Sequence, residues 1–160
     1  MGVGGCGKSS LAQALSGRLG LPCIEGDDFH SAASIIKMRA GVPLDDRDRA
    51  GWLDRLSDEL ASHPDGAVLS CSALKLAYRD RLRRAVPRLY FAFLDITRDE
   101  ALARVAARPD HLFPPSLVDS QFATLERPDG ERNVVALDAT APPDALVAQV
   151  TQALAQYEHA

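Results

Sequence analysis

The chain has 160 residues, 46% hydrophobic and 25% charged, with a formal net charge of −4, the profile of one soluble globular domain with a real core. The negative balance excludes a general attraction to nucleic acid or anionic lipid, and no apolar run approaches the roughly 20 residues of a membrane span. Cys6, Cys23 and Cys71 are odd in number and lack metal-ligand spacing, and no basic stretch followed by an apolar one opens the chain, so reduced thiols in a cytoplasmic protein are expected.

The first element is a loop. Gly2-Val3-Gly4-Gly5-Cys6-Gly7-Lys8-Ser9 fits G-x-x-x-x-G-K-[ST] at every fixed position. Its glycines let backbone N–H groups turn toward the phosphates of a nucleotide, Lys8 can reach the β/γ-phosphates, and the Ser9 hydroxyl suits Mg²⁺. Gly2, Gly4, Gly5, Cys6, Gly7, Lys8, Ser9 and Ser10 are the expected nucleotide contacts, with Ser9 the metal ligand. The plain alternative is a Gly-rich turn capping a helix. Such a loop ordinarily follows a buried strand, and only Met1 precedes it here. The expectation is a chain start that leaves out that strand.

A helix follows over 9–19, with Leu11, Leu15 and Leu19 on one face, stopped by Gly20 and Pro22. Pro22 to Glu25 reads as a strand ending at Gly26-Asp27-Asp28. An Asp there sits on the acceptor side of a transferred phosphoryl group and can orient a hydroxyl and take its proton. It could equally cap the next helix. Helices over 31–40 and 48–61 come next, the second placing Trp52, Leu53, Leu56 and Leu60 on one face. Ala67 to Cys71 is an apolar strand of the kind covered on both faces. Ser72 can cap the basic helix at 75–85, and Arg88 to Leu94 is the next strand.

The helix at 98–108 carries Arg104 and Arg108 four apart. They suit a γ-phosphate as its charge spreads, or a solvated face paired with Asp99 or Glu100. A Pro-punctuated loop holding His111, a helix at 116–125, a strand from Asn133 to Leu137 and a final helix through Leu146, Val150 and Leu154 complete the chain. Strands alternating with helices predict a parallel α/β sheet, with ligands beyond the carboxyl ends of its strands.

Longer stretches carry a resemblance. G-D-D-F-H (26–30), K-M-x-x-G-x-P-L-D-D-x-D-R-x-x-W-L (37–53), C-S-A-L-K-x-x-Y-R-D-x-L-R (71–83) and S-Q-F-x-T-L-E-x-P (120–128) join the loop in the order and spacing of the gluconate kinase family, across nearly the whole chain. The resemblance implies a single three-layer α/β/α P-loop kinase domain over 1–160, with a lid at about 108–118. It implies transfer of a phosphoryl group from ATP, with Mg²⁺, to the 6-hydroxyl of D-gluconate, and a homodimer. Carried over by position, Lys8, Asp27, Arg104 and Arg108 are the catalytic residues. His30, Arg49, Lys75, Arg79, His111 and Gln121 join Asp27 around the sugar acid, with Arg79 the first choice for its carboxylate because a planar fork suits one. The chain departs from the family's R-x-G-H-F at Arg108-Pro109-Asp110-His111, where the Gly is lost and a Pro gained, which stiffens the lid entry, and Asp110 adds a negative charge near the triphosphate. Two alternatives stand beside this reading. One is a kinase of another sugar acid or hydroxy acid on the same fold, and the other is an inactive nucleotide-binding relic shortened at its N-terminus.

Overall fold

The computed structural model describes residues 1–108 and 113–158. Its helices and strands alternate in the predicted order. Helix α1 spans Lys8–Leu19 between Gly7 and Gly20, both in the left-handed region. Strand β1 (Cys23–Glu25) turns through a short 3₁₀ segment, Gly26–Phe29, toward α2 (Ala32–Arg39). Helix α3 runs over Asp46–Ala61 and starts earlier than the hydrophobic pattern suggests. The reason is local: Asp45 caps the Asp48 amide while the Asp48 carboxylate reaches back to the Asp45 amide. Then come β2 (Val68–Ser70), α4 (Leu76–Ala85), β3 (Phe91–Asp95), α5 (Arg98–Ala106), α6 (Val118–Thr124), β4 (Val134–Asp138) and α7 (Pro143–Glu158). β3 begins at Phe91 rather than Arg88, because Leu89 N–H closes a turn onto the Val86 carbonyl.

β1 pairs with β2, and β3 with β4, both in parallel. Among the described residues these are two separate two-stranded sheets. Met1 lies between them. Its α-amine donates to Ala92 O (2.6 Å), its carbonyl accepts from Leu94 N–H (3.0 Å), and Gly2 N–H donates to Ser72 O (3.2 Å).

Two hydrophobic clusters cover the two faces of the strands. One gathers Leu11 and Leu15 of α1, Ala101 and Val105 of α5, and Leu146 and Val150 of α7 around Leu94 and Leu137. The other gathers Trp52, Leu53, Leu56 and Leu60 of α3 with Tyr78 and Leu82 of α4 over Ile24 and Phe91. Helix, strand and helix layers result, the three-layer order the resemblance implies. Leu56 is wholly buried. Leu56→Ala is expected to lower unfolding free energy by about 2–5 kcal/mol in urea titrations; a loss below about 1 kcal/mol would mean that the α3 layer is not packed as described.

The thiols also follow from packing. Cys6 and Cys71 are buried, Cys23 is exposed, and none is paired. Burial pushes the Cys71 thiol up to about 11. Iodoacetamide at pH 8 is expected to label Cys23 alone in the native chain and all three thiols in denaturant, as read by mass spectrometry.

Candidate active site

The glycine loop turns from β3's edge into α1. Gly5 (φ 80°) and Gly7 (φ 96°) hold left-handed conformations that cost an L side chain strain. A Cβ on Gly5 would also lie 2.8 Å from the Ala101 carbonyl, so α5 presses directly on the loop. Val3 and Cys6 point into the core. Cys6 can thus contribute to a nucleotide only through its backbone.

Some of the loop's donors are engaged within the protein. Lys8 Nζ donates to Val3 O (2.9 Å), and Gly4 N–H donates to Gln121 Oε1 (2.6 Å). The Phe113 ring lies against Gly4. A phosphate oxygen that took the Gly4 N–H would displace the Gln121 amide. The cleft is ≈ 80 Å³ in this state, small beside the several hundred Å³ that a bound small molecule occupies.

Gly4, Gly5, Gly7, Lys8, Ser9 and Ser10 line that cleft, and so do Asp27, His30, Arg49, Arg108 and Gln121. The structure brings these predicted residues together. Asp27 sits in the turn after β1, its carboxylate half-exposed and 3.7 Å from His30 Nε2. The His30 ring stacks on Trp52 at 4.7 Å between centroids, and the indole N–H donates to Gly26 O (2.7 Å). Trp52 thereby fixes the ring and, through it, the Asp27 side of the cleft. His30 Nδ1 is buried without a hydrogen-bond partner among the described residues. Arg49 is 8% exposed, donates to Leu44 O (2.6 Å) and lies over the Tyr78 ring.

Ser9 Oγ lies 3.5 Å from Ser70 Oγ, at the carboxyl end of β2. No described group of three or more His, Cys, Asp or Glu residues could hold a metal ion by itself. The donor set still fits Mg²⁺, which takes few protein ligands and fills its shell with phosphate oxygens and water. Ser9 offers a hydroxyl on the cleft wall that such an ion would use, with Asp27 on the same cleft.

Other predicted residues lie elsewhere. Arg79 is fully buried away from the cleft. It binds Glu131 through Nε and Nη2 and the Ala73, Leu74 and Glu126 carbonyls through its remaining hydrogens. The expectation that Arg79 holds a substrate carboxylate is corrected: its fork is already filled. Lys75 pairs with Asp46 (2.8 Å), which also accepts from the Tyr78 hydroxyl, and it is not on the cleft wall. Asp46 holds its own proton less tightly than an ordinary carboxyl because of these hydrogen bonds, that from Lys75 first. Arg104 donates to Ala139 O (3.0 Å) and reaches toward Gly7 instead of pairing with Asp99 or Glu100. Ser72 does not cap α4; Glu126 accepts the Leu76 amide instead (2.6 Å). His111 and most of the predicted lid entry lie outside the described residues.

The sequence reading assigned no role to Ser70, Glu126 or Glu131. Ser70 was findable, since it ends a strand at the edge where ligands gather. The two glutamates act across about fifty residues of chain, a distance at which no local spacing signals contact.

A phosphate loop entering a helix, an acidic turn after the next strand, and a parallel sheet between helix layers define a P-loop kinase for small molecules. None of the protein-family models scanned matches the chain. It is 41% identical over 142 residues to the thermosensitive gluconokinase of Escherichia coli, covering 86% of this chain and 76% of that one. It is also 41% identical over 155 residues to a gluconokinase of Gluconobacter oxydans, covering 94% and 86%. A crystal structure of a gluconokinase from Sinorhizobium meliloti superposes with a TM-score of 0.89 at 43% identity, covering 98% of this chain and 89% of that one. The chain belongs to the gluconokinase family.

Proposed function

We propose that the chain transfers the γ-phosphoryl group of ATP to the 6-hydroxyl of D-gluconate, giving 6-phospho-D-gluconate and ADP. The observation that carries this reading is the single cleft shared by the phosphate loop, Asp27 and Arg49. Asp27 orients the 6-hydroxyl and accepts its proton; the oxygen bonds to the γ-phosphorus as the bond to the ADP oxygen breaks. Lys8, the loop amides and Arg108 offset the charge on the transferring group. Ser9 would hold Mg²⁺ together with the nucleotide's phosphates, and the ion would supply further charge neutralisation. Arg49 is the anchor for the sugar-acid carboxylate, and His30 Nδ1 offers a buried hydrogen-bonding position for a substrate hydroxyl. Gln121 leaves the Gly4 amide and becomes available to substrate.

The deciding measurement is ADP release across a panel of gluconate, other sugar acids and shikimate. Gluconate is expected to give the highest kcat/KM; a better acceptor elsewhere in the panel would overturn the assignment. Arg49→Ala is expected to raise KM for gluconate by about 10- to 100-fold, since hydrogen bonds to a charged partner contribute about 1.5–3 kcal/mol. KM for ATP should stay within about threefold. The same reading makes this a cytoplasmic enzyme, where ATP is supplied. The family relationship favours a homodimer, for which sedimentation gives the direct check.

A further inference from the structure

Arg49 stands in an acidic neighbourhood and pairs with none of it. Asp45 caps α3, and Asp46 and Asp48 occupy its first turn. Among the described residues the Arg49 guanidinium nevertheless forms no ion pair: it donates to Leu44 O (2.6 Å) and lies 5.7 Å from the centre of the Tyr78 ring. Residues three apart on a helix share a face, with about 5–6 Å between their Cβ atoms, so Asp46 is within reach of Arg49. An arginine paired on its own helix would meet a substrate carboxylate with its charge already offset.

Each of the three acids is held by something else. Asp45 accepts from the Asp48 amide (2.8 Å), and Asp48 accepts from Lys37 Nζ (2.8 Å) and from the Asp45 amide (3.0 Å). Asp46 accepts from Lys75 Nζ (2.8 Å) and from the Tyr78 hydroxyl, both on the same oxygen. These two donors come from a different helix, Lys75 at the cap of α4 and Tyr78 in its first turn. Lys75 Nζ also lies 5.6 Å from the centre of the Tyr78 ring. Its hydrogen bond to Asp46 holds the ammonium above the ordinary lysine pKa, so it stays charged. The start of α4 therefore grips the one carboxylate that stands a turn before Arg49.

We propose, resting on Arg49 as the anchor for the sugar acid, that Lys75 and Tyr78 are positioning residues that hold the Asp46 carboxylate off Arg49 and leave its guanidinium open to substrate. Neither residue lines the cleft, so neither needs to touch the sugar acid. Without the two donors, the largely exposed Asp46 carboxylate is free to swing to the cation on its own helix. Being tethered, it competes with the substrate carboxylate at no translational cost. Apparent affinity then falls by the fraction of time that the fork is open. Saturating substrate displaces Asp46, so the chemical step is left as it was.

The test varies gluconate at saturating ATP in the full chain. Lys75→Met with Tyr78→Phe keeps the aliphatic stem and the ring beneath Arg49 and removes both donors. KM for gluconate is expected to rise about 5- to 10-fold, between the strength of an exposed ion pair and that of a charged hydrogen bond. kcat and KM for ATP should stay within about twofold. Adding Asp46→Asn should bring KM back to within about twofold of the parent, because a neutral amide no longer competes for Arg49; a cycle of this kind isolates the coupling between the residues. Lys75→Arg beside Tyr78→Phe should recover most of the loss. If the paired variant melts early, Lys75→Met alone carries the test, with a rise of about threefold that Asp46→Asn again cancels. A raised KM that Asp46→Asn does not restore would overturn the proposal and make Lys75 or Tyr78 a direct substrate contact. An unchanged KM in the paired variant, beside a raised KM in Arg49→Ala, would overturn this proposal alone. A KM insensitive to Arg49→Ala would overturn the anchor assignment and this proposal with it.

Discussion

Lys8→Ala is expected to lower kcat for gluconate-dependent ADP release by at least about 100- to 1,000-fold, the cost of removing one preorganised charge from a transition state. Lys8 leaves the first turn of α1 and reaches across the loop to the Val3 carbonyl, 2.9 Å away. That bond holds the ammonium over the loop before any nucleotide arrives, so the charge needs little reorganisation. The structural cost of losing it is small, about 0.5–1.5 kcal/mol for one hydrogen bond. The variant should therefore fold, bind gluconate and fail in transfer. Asp27→Asn is the partner experiment, with an expected loss of about 100- to 10,000-fold in kcat and little change in KM for ATP, because it removes a proton acceptor rather than a phosphate contact. Activity within tenfold of the parent in the Lys8 variant would sink the role given to the loop. The same result in the Asp27 variant would leave the loop's role intact and move the proton acceptor elsewhere.

The parts of this site legible in the sequence are those that local chemistry dictates. The loop is fixed by glycines whose backbone angles only glycine tolerates well, followed at once by Lys8 and Ser9. Asp27 is fixed by its place immediately after a strand. Arg49 and His30 come from longer matching stretches, and both line the cleft. Arg79 and Lys75 lie in an equally distinctive stretch, yet neither lines it. A motif reports that a side chain is needed; it does not report which way the side chain points. On α4, Tyr78, Arg79, Leu82 and Arg83 are all buried, so an arginine there is as able to hold the fold as to hold a ligand. The partner that decides the matter, Glu131, lies far along the chain. Strand order was equally out of local reach: that Met1 and Gly2 link β3 to the segment after β2 depends on bonds to Ala92, Leu94 and Ser72.

Glu131→Gln should consequently unfold the chain more readily than any substitution on the cleft wall. Glu131 accepts from Arg79 Nε and from Arg79 Nη2 (2.5 Å), and its other oxygen accepts from Arg83 Nη2 (2.8 Å). Arg79 is wholly buried and Arg83 is 9% exposed. Removing the one carboxylate between them leaves the Arg79 guanidinium desolvated without a counter-charge, while Arg83 keeps only its pair with Asp80 (2.9 Å), and breaking such a buried arrangement costs about 3–5 kcal/mol. Arg79 also grips the Ala73 and Leu74 carbonyls, and Ala73 holds a left-handed φ of 44°. The guanidinium therefore clamps the strained bend between β2 and α4, and its hold on the Glu126 carbonyl ties the segment after α6 to the same bend. At about 2–4 °C per kcal/mol for a chain of this size, Tm should fall by roughly 6–20 °C. Burial alone would raise the Glu131 pKa, but the hydrogen bonds from Arg79 and Arg83 outweigh it and hold the carboxyl below its ordinary value. A depressed folded-state pKa means that this stabilisation is fully present above the unfolded carboxyl's pKa and is lost as pH falls through the folded value. The parent should lose stability progressively below about pH 4.5, and Glu131→Gln should show a shallower decline over the same range. The kinetic counterpart separates structure from binding: Arg79→Met, where it folds, should keep KM for gluconate within about threefold, while Arg49→Ala raises it. A KM that rises in the Arg79 variant with Tm unchanged would return that arginine to the substrate.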